Sequence, residues 1–329
     1  MWTRRAGALT PFLVLCLALP GLADEPAPAD PAGFEKLVPK DAKLEKLAGD
    51  MKFTEGPVWA PTEGGGMLLF SDIPADEIRK WVPGEGVSVF RAPSRGANGN
   101  TLDREGRLIT CEHRSRSVVR NSIDGSMQTL ADEYRGAKLN SPNDAAVRSD
   151  GTVWFTDPPY GLDQRNKEQR GNYVYRLDPE TKELSAVITE IAWPNGICFS
   201  PDESKLYVAN SDGGNPVIYA TPVKKDGTVG TPQRLCRIDS GAPDGIRCDA
   251  EGRIWSSAGD GVHVLAPDGK LLGKIPVPET PANLCFGGDD GKTLFITART
   301  SLYSIRTNVR GNPNDETRNP NQIRMTKPE

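Results

Sequence analysis

Residues 143–157 read Asn143-Asp144-Ala145-Ala146-Val147-Arg148-Ser149-Asp150-Gly151-Thr152-Val153-Trp154-Phe155-Thr156-Asp157, and they contain one complete copy of the unit from which the fold is predicted. A polar opening leads into a short apolar run, a polar turn with glycine follows, and a second apolar run continues to Asp157. Two apolar runs joined by such a turn are typical of a β-hairpin.

The same unit recurs along the chain. Its openings are Glu55-Gly56-Pro57, Asn100-Thr101-Leu102, Asn143-Asp144-Ala145, Asn195-Gly196-Ile197, Asp244-Gly245-Ile246 and Ala282-Asn283-Leu284. With the last registered on Asn283, the intervals are 45, 43, 52, 49 and 39 residues. Further glycine turns follow at 104–106, 250–252 and 289–291. Because periods of this size are typical of repeated β units, the sequence predicts an all-β, six-bladed β-propeller whose first strands line a central metal-binding tunnel.

The chain ends differ from this repeat. Arg4 and Arg5, an apolar stretch at 9–19 and Gly21-Leu22-Ala23 form the three regions of a secretory signal peptide. A membrane anchor is the alternative, but Pro11 and Pro20 interrupt the stretch, which is short for a span. We therefore predict a signal peptide at 1–23, a flexible Pro/Ala-rich leader at 24–33, the propeller at 34–311 and a polar tail at 312–329. The protein is expected to be exported, either periplasmic or secreted, with no membrane association after cleavage.

Charge and cysteine content limit the partners. Loss of Arg4 and Arg5 with the signal changes the net charge from −4 to −6, and no basic cluster remains to hold phosphates, so nucleic acid is not an expected partner. A monomer is expected. The mature chain keeps five cysteines, an odd number, without a CxxC spacing. A disulfide between Cys236 and Cys248 is an alternative to free thiols in an exported protein.

Four of the opening residues predict a metal centre. Taken alone, each opening reads as a turn, but equivalent positions of a propeller converge on the tunnel. Glu55, Asn143, Asn195 and Asp244 would then place two carboxylates and two amide oxygens around one point. Such donors suit Ca²⁺; Mg²⁺ and Mn²⁺ are second choices, and Zn²⁺ is least favoured because neither of the two histidines lies at an opening. Four protein ligands leave coordination positions open, where a substrate oxygen could bind. Asp244 could accept a proton through its free carboxylate oxygen and is therefore the candidate catalytic residue.

Further polar residues at strand ends are candidates for binding substrate. Together with Asn143 they are Asn100, Asn140, Glu112, His113, Asp157 and Tyr160. Several have a structural alternative: Asp157 precedes Pro158 and would end a strand, Tyr160 would pack, and His113 would serve as a structural hydrogen-bond partner. His263 lies in an alternating strand and is placed outside the site. Trp59, Trp154 and Trp255 recur at similar strand positions, which favours core packing.

Several motifs together resemble the gluconolactonase / senescence-marker-protein family. They are Phe53-Thr54-Glu55-Gly56-Pro57-Val58-Trp59, Thr110-Cys111-Glu112-His113, Ser141-Pro142-Asn143-Asp144, Trp154-Phe155-Thr156-Asp157-Pro158-Pro159-Tyr160-Gly161, Pro194-Asn195-Gly196, Pro243-Asp244-Gly245 and Asn283-Leu284-Cys285-Phe286-Gly287-Gly288. The resemblance implies a six-bladed propeller with calcium in the tunnel, held by Glu55, Asn195 and Asp244, with Asn143 contacting metal or substrate. Ser141 is a departure, because animal members carry arginine there.

The sequence contains no GxSxG elbow, HExxH motif, P-loop or EF-hand loop. Residues and resemblance together predict a calcium-dependent hydrolase that opens a small lactone, such as gluconolactone, to the hydroxy acid. Two alternatives stay open. One is a non-catalytic propeller that binds a ligand and carries a structural metal. The other is a phosphotriesterase or arylesterase that uses the same ion.

Overall fold

The computed structural model describes residues 31–62, 65–121 and 126–315. Within these residues the chain forms six four-stranded antiparallel sheets and one additional two-stranded hairpin. The prediction of a six-bladed β-propeller is therefore confirmed. The predicted signal peptide, most of the leader and the end of the predicted tail lie outside the described residues.

The strands of each blade follow one another in the chain, apart from the first strand. A short helix, α1 (Pro31–Glu35), precedes β1 (Glu45–Ala48). Blade I comprises β2 (Thr54–Ala60), β3 (Met67–Asp72), β4 (Glu77–Val82) and β5 (Gly86–Arg91), with a 3₁₀ turn at Ile73–Ala75. Blade II comprises β6 (Ala97–Leu102), β7 (Leu108–Glu112), β8 (Ser117–Asn121) and β9 (Met127–Ala131).

A small hairpin, β10 (Glu133–Tyr134) and β11 (Ala137–Lys138), separates blades II and III. Blade III comprises β12 (Ala145–Val147), β13 (Val153–Asp157), β14 (Tyr173–Leu177) and β15 (Leu184–Ile188), with a 3₁₀ turn at Gln164–Asn166. Blade IV comprises β16 (Pro194–Phe199), β17 (Lys205–Asn210), β18 (Val217–Pro222) and β19 (Gln233–Arg237).

Blade V comprises β20 (Ile246–Cys248), β21 (Ile254–Ala258), β22 (Gly261–Leu265) and β23 (Leu271–Pro276). Blade VI comprises β24 (Pro281–Gly287), β25 (Thr293–Ala298) and β26 (Ser301–Arg306), and β1 supplies its outer strand. The register pairs Glu45 with Ser304 and Lys46 with Tyr303. The start of the chain thus closes the ring by pairing with its last strand.

Apolar side chains fill the space between neighbouring blades. Trp154 packs edge-on against Phe199 of the next blade at 5.4 Å between ring centroids. Trp255 packs in the same way against Phe286 at 5.2 Å, and Trp59 stacks on Phe295 at 5.3 Å. Because the recurring tryptophans bury their rings between blades, the expectation that they form core is met.

Four inner strands, β2, β6, β16 and β24, are bulged at the positions that open their repeats, whereas β12 and β20 begin after theirs. The register shifts between Glu55 and Val58 in β2, between Ala97 and Asn100 in β6, and between Pro194 and Ile197 in β16. A bulge turns the extra residue away from the regular alternation of the strand. At these points the backbones of neighbouring blades meet directly: the Gly99 N–H donates to Asn143 O at 2.8 Å. A Cβ on Gly99 would lie 2.4 Å from that oxygen, so only glycine fits.

The chain stays packed beyond the predicted end of the propeller at residue 311. Asn312 is buried; its N–H donates to Cys248 O at 3.1 Å and its amide to Phe199 O at 3.2 Å. No disulfide joins Cys236 to Cys248, since all five described cysteines are free thiols. The sulfur of Cys248 lies instead 3.7 Å from that of Cys198 on the neighbouring inner strand. Across the described ranges, no helix has the length and apolar character that crossing a membrane requires.

Candidate metal centre and tunnel mouth

A ring of polar residues surrounds the tunnel axis at the openings of the inner strands. In blade order its members are Glu55, Asn98, Asn143, Asn195, Asp244 and Asn283. Backbone bonds join neighbouring members, including the Gly196 N–H to Asp244 O at 3.1 Å and the Gly245 N–H to Ala282 O at 2.8 Å. Residues far apart in sequence are thereby held around one point.

Amide side chains connect one half of the ring. Asn98 Nδ2 donates to Asn143 Oδ1 at 2.7 Å, and Asn143 Nδ2 donates to Asn195 Oδ1 at 2.6 Å. Asn195 Nδ2 in turn donates to Ser211 Oγ at 2.9 Å. The structure thus brings the predicted ligands Asn143 and Asn195 into contact and adds Asn98, which the sequence analysis missed.

The carboxylates form the other half of the ring. Burial, followed by the charge of Asp244, raises the pKa of Glu55 well above its usual value, and Asp144 adds to the effect. Burial and the charge of Asp144 likewise raise the pKa of Asp244, while a hydrogen bond from Asn195 opposes the rise. Glu55 Oε2 accepts a bond from the Gly56 N–H at 2.6 Å, and Asn283 also contacts this carboxylate. The predicted carboxylate ligands therefore lie close enough to resist ionising together.

A buried ion pair lies beneath the ring. Arg247 Nη1 donates to Asp144 Oδ2 at 3.0 Å and to the carbonyl of Ile246 at 2.7 Å, and Nη2 lies 3.4 Å from Asp144 Oδ1. Burial alone would lower the pKa of Arg247, but the charge of Asp144 outweighs it and raises the pKa. The pair joins blades III and V across the tunnel.

The donor set fits a hard divalent cation. Glu55, Asp144 and Asp244 contribute three formal negative charges when ionised, and Arg247 contributes one positive charge, which leaves a net charge of −2. Asn98 Oδ1 is buried and has no hydrogen-bond partner among the described residues, so the ring holds a spare oxygen donor. Carboxylate and amide oxygens are ligands that Ca²⁺ and Mg²⁺ prefer, and a doubly charged ion would offset the repulsion that raises the carboxylate pKa values.

The candidate substrate residues of blade II lie in different surroundings. Asn100 is fully buried, and its amide donates to Gly56 O and Ser71 Oγ, both at 2.9 Å, so it braces the inner strands below the ring. Glu112 is also fully buried; its Oε1 accepts from Arg91 at 2.8 Å and its Oε2 from Ser115 at 2.5 Å. Both side chains are therefore engaged inside the protein.

His113 reaches the ring itself. Its Nε2 lies 3.0 Å from Asn98 Nδ2, which makes Nε2 the acceptor and places the ring proton on Nδ1. Burial lowers the pKa of His113 to about 4, so the imidazole is neutral near pH 7. It positions Asn98 from behind and packs against Gly161, where a Cβ would lie 2.5 Å from the imidazole.

In blade III, Asn140 and Asp157 hold each other. Asp157 Oδ2 accepts from the Asn140 N–H at 2.8 Å, and Asn140 Nδ2 donates to Asp157 O at 2.9 Å. Burial raises the pKa of Asp157 to about 7. Tyr160 differs from both, because the residue is 40% exposed. Its hydroxyl interacts with Ser211 and with Asn195 of the polar ring. Of the candidates outside the ring, Tyr160 is the one that the structure places at the open mouth.

The sequence analysis missed Asn98 in the ring, Asp144 and Arg247 beneath it, and Trp193 at the mouth. It also missed Arg299, whose charge opposes the rise that burial causes in the pKa of Asp244. Asn98-Gly99 repeats the Asn195-Gly196 pattern and was detectable by that signal. Arg299 lies beside Phe53, with its guanidinium 5.6 Å from the ring centroid, and its backbone carbonyl accepts from the Thr54 N–H at 2.7 Å. No short motif marks Arg247, Trp193 or Arg299, because each acquires its role through contacts with distant segments.

Two other features of the described residues lie away from the ring. A cavity of about 330 Å³ lies where the inner strands continue below it, lined in part by Ile197, Arg247 and Cys285. Asp239, Asp260 and His263 form a separate cluster, but Lys274 Nζ lies among them, at 2.8 Å from Asp239 and 3.0 Å from Asp260. His263 is therefore outside the tunnel site, as expected, and an ammonium group already balances its acidic neighbours.

The comparison with known proteins agrees with this geometry. Residues 53–300 match the family described as SMP-30/Gluconolactonase/LRE-like region. The chain belongs to this family. A gluconolactonase of Zymomonas mobilis is 36% identical over 295 residues, which cover 82% of each chain. A 6-deoxy-6-sulfogluconolactonase of Pseudomonas putida is 31% identical over 74% of this chain and 82% of its own.

A solved structure of a gluconolactonase from Xanthomonas campestris has the same fold. It superimposes with a TM-score of 0.79 at 35% identity and covers 86% of this chain and 95% of that one. The family resemblance inferred from the motifs is therefore confirmed, and the ring and tunnel mouth described above lie within the matched region.

Proposed function

We propose that this protein is a metal-dependent hydrolase that opens small lactones to hydroxy acids, with a sugar lactone such as gluconolactone as the leading substrate. The observation that carries the proposal is the ring, in which Glu55 and Asp244 face two asparagines on the axis of a propeller of this family. Relatives that share about a third of their residues with this chain are named as lactonases, which supports the same substrate class.

Ring residues would hold the cation. Glu55, Asn143, Asn195 and Asp244 supply the oxygens. Hard donors of this kind suit Ca²⁺, Mg²⁺ and Mn²⁺ better than Zn²⁺, and Ca²⁺ is the ion that we propose. When bound, such an ion would polarise the lactone carbonyl as a Lewis acid. Asn98 and His113 keep Asn143 in place from behind, and the Asp144–Arg247 pair fixes the charge below the ring.

Asp244 is the residue to which we assign the proton transfer. Its carboxylate is buried beside Asn195, and a carboxylate oxygen that the cation leaves free can accept a proton. A water molecule adds to the carbonyl carbon and gives its proton to a carboxylate oxygen of Asp244. The C–O bond of the lactone ring then breaks, Asp244 returns the proton to the alkoxide oxygen, and the product is the hydroxy acid.

The test measures acid release from D-glucono-1,5-lactone, corrected for spontaneous hydrolysis, with added Ca²⁺ and then with a chelator. We expect chelator-sensitive turnover that is lost in Asp244→Asn and Glu55→Gln. Asp239→Asn is the matched control, because it makes the same change in an exposed carboxylate away from the tunnel. Metal analysis of each variant separates lost metal from lost chemistry.

Fully metallated protein without turnover of aldonolactones, γ-lactones, aryl esters or a phosphotriester would refute the enzyme and favour a ligand-binding propeller. Turnover of the phosphotriester alone would move the assignment to that class. Retention of full metal and full activity in Asp244→Asn would show that the ring is not the centre.

Export belongs to the same proposal, and it is supported by the composition of residues 1–23. The mature protein should begin at Asp24. N-terminal sequencing of the protein from a periplasmic fraction or culture medium tests this, and a chain that keeps Met1 and stays in the cytoplasm would contradict it. A monomer is likewise proposed, and sedimentation measures it directly.

A further inference from the structure

Two aromatic side chains stack at the rim of the tunnel, on the side of blades III and IV. Tyr160 follows β13 and Trp193 precedes β16, and their ring centroids lie 5.8 Å apart with the planes inclined by 17°. Trp193 is half-buried, whereas Tyr160 is the one aromatic side chain of the described ranges that is exposed. A single exposed aromatic ring is ordinary on a protein surface, so it is the contact of Tyr160 with the polar ring that makes it a candidate for touching a ligand.

The hydroxyl end of Tyr160 points into the site. It interacts with the side chains of Ser211 and Asn195, and it donates weakly to Trp193 O at 3.4 Å. Burial of the hydroxyl raises the pKa of Tyr160, and the charge of Asp244 adds to the rise. The tyrosine therefore has its polar end at the candidate ligands and an open part of its ring at the mouth.

The segment that carries Tyr160 is held in place before any ligand arrives. Ser141 Oγ donates to Pro158 O at 2.8 Å and accepts from the Gly161 N–H at 2.9 Å, so it pins both ends of the turn. Ser141 is fully buried, and Gly161 packs on His113. On the other side, the backbone of Trp193 is fixed by Asn210 Oδ1 at 2.9 Å and by the Ser211 N–H at 3.0 Å. A preorganised wall of this kind needs little ordering when a ligand binds.

We propose that Tyr160 is a substrate-contacting wall that selects six-membered sugar lactones, and that Trp193 is the positioning residue that holds its ring. The inference rests on the proposed lactonase function and names its substrate class. A six-membered aldonolactone carries C–H groups on its faces and hydroxyls around its edge. Tyrosine matches this pattern, because it combines an apolar ring with a polar tip. A small unsubstituted γ-lactone offers a smaller C–H face and has no hydroxyl groups at its edge.

The experiment compares D-glucono-1,5-lactone with γ-butyrolactone in the full, metal-loaded protein. Trp193→Ala should raise KM for the sugar lactone about 2- to 12-fold, the range expected for one aromatic contact, with kcat changed less than about twofold. KM for γ-butyrolactone should stay unchanged. Trp193→Phe keeps a stacking ring and should restore most of the wild-type KM.

Tyr160→Phe and Tyr160→Ala separate the two ends of the tyrosine. Phenylalanine keeps the ring and should retain the preference between the two lactones better than alanine does. Circular dichroism and thermal melts confirm that each variant is folded. An equal rise of KM for both lactones would show that the pair is only structural, and unchanged KM values would show that the ring does not touch the substrate.

Failure of the proposed lactonase function can be distinguished from failure of the inference about Tyr160 and Trp193. If metal-loaded wild-type protein turns over no lactone, the function is refuted, and calorimetric binding of gluconate then tests the wall by itself. Gluconate binding that weakens in Trp193→Ala and recovers in Trp193→Phe would keep the wall as a sugar-acid site. Absence of gluconate binding, or binding indifferent to these changes, would overturn it.

Discussion

Replacing Arg247 with methionine should strongly destabilise the protein, because it leaves the carboxylate of Asp144 buried without its partner. The side chain of Arg247 is 10% exposed and that of Asp144 is 1% exposed, so water cannot replace the guanidinium as the partner of the carboxylate. The substitution removes bonds at 3.0 and 3.4 Å to Asp144 and one at 2.7 Å to Ile246 O. Breaking a buried pair from one side typically costs about 3–5 kcal/mol in the free energy of unfolding.

The double variant Asp144→Asn/Arg247→Met tests the cause. It removes both charges, and the new amide side chain would keep an oxygen to accept from the Ala145 N–H, as the Asp144 carboxylate does at 2.9 Å. Because replacing both members of a buried pair is often close to neutral, the double variant should recover most of the stability that Arg247→Met loses. Asp144→Asn alone should also be destabilised, since it leaves the buried guanidinium of Arg247 without its carboxylate partner.

The assay is urea unfolding in the presence of a chelator, followed by circular dichroism, with the m-value checked for constancy. Adding Ca²⁺ should then stabilise Arg247→Met more than it stabilises the wild type, because the uncompensated charge of Asp144 lies beside Glu55 and Asp244. A double variant that is as unstable as Arg247→Met would refute the reasoning. The side chain of Arg247 would then matter through packing and not through charge.

Three further changes test the contact of inner strands at Gly99, the buried carboxyl of Asp157, and the hydrogen-bonded carboxylate of Glu279. Gly99→Ala should destabilise the fold by about 1–3 kcal/mol or more because its Cβ would meet Asn143 O at 2.4 Å, whereas Gly213→Ala, with no atom within 4 Å, should be neutral in the same urea titration. Burial raises the pKa of Asp157 from 3.8 to about 7, so the native carboxyl keeps a proton that the unfolded chain loses; the stability of the wild type relative to Asp157→Asn should fall as pH rises through this window in thermal melts. Hydrogen bonds from Ser301, Thr300 and Tyr303 overcome burial and lower the pKa of Glu279 from 4.5 to about 2, so the stability that it adds should be lost as pH falls through that window, and Glu279→Gln should flatten the acid limb of the stability profile.

Each of these expectations has a contrary outcome. Equal midpoints for Gly99→Ala and Gly213→Ala would mean that the inner strands separate easily at the ring. A constant difference between wild type and Asp157→Asn across the pH window would mean that the carboxyl is ionised throughout. Unchanged acid stability in Glu279→Gln would mean that the hydrogen bonds of Glu279 with Ser301, Thr300 and Tyr303 add no net stability to the folded state.

The choice between Asn98 and Asn100 shows where sequence reasoning reaches its limit. Residues two apart on a strand face the same side, so alternation alone cannot say which of them faces the axis. The bulge between Ala97 and Asn100 decides it, and turns Asn98 toward Asn143 while Asn100 braces Gly56. A bulge depends on how the neighbouring blade packs, and that information is spread over the whole ring.

The polar candidates outside the ring show the same limit. Glu112 and Asp157 are predicted substrate-binding residues because they are polar and lie at strand ends. Both do end strands, but Glu112 pairs with Arg91 and Asp157 accepts a hydrogen bond from Asn140. Local sequence does not show which partner a buried carboxylate will find. Local sequence does not identify the partner of a cysteine either. Cys198 contacts Cys248 because the closed ring sets the register of the two blades that carry them.

The amino-acid order alone predicts the six blades and every ring residue except Asn98, because both follow from a repeat whose period and opening residues can be read from the chain. Tertiary structure decided the rest. It placed Arg247 against Asp144, which are 103 positions apart, and set Tyr160 on Trp193 at the mouth. Closing a ring of blades turns distant positions into neighbours, and the pairing of side chains across the tunnel depends on that closure and not on any local pattern.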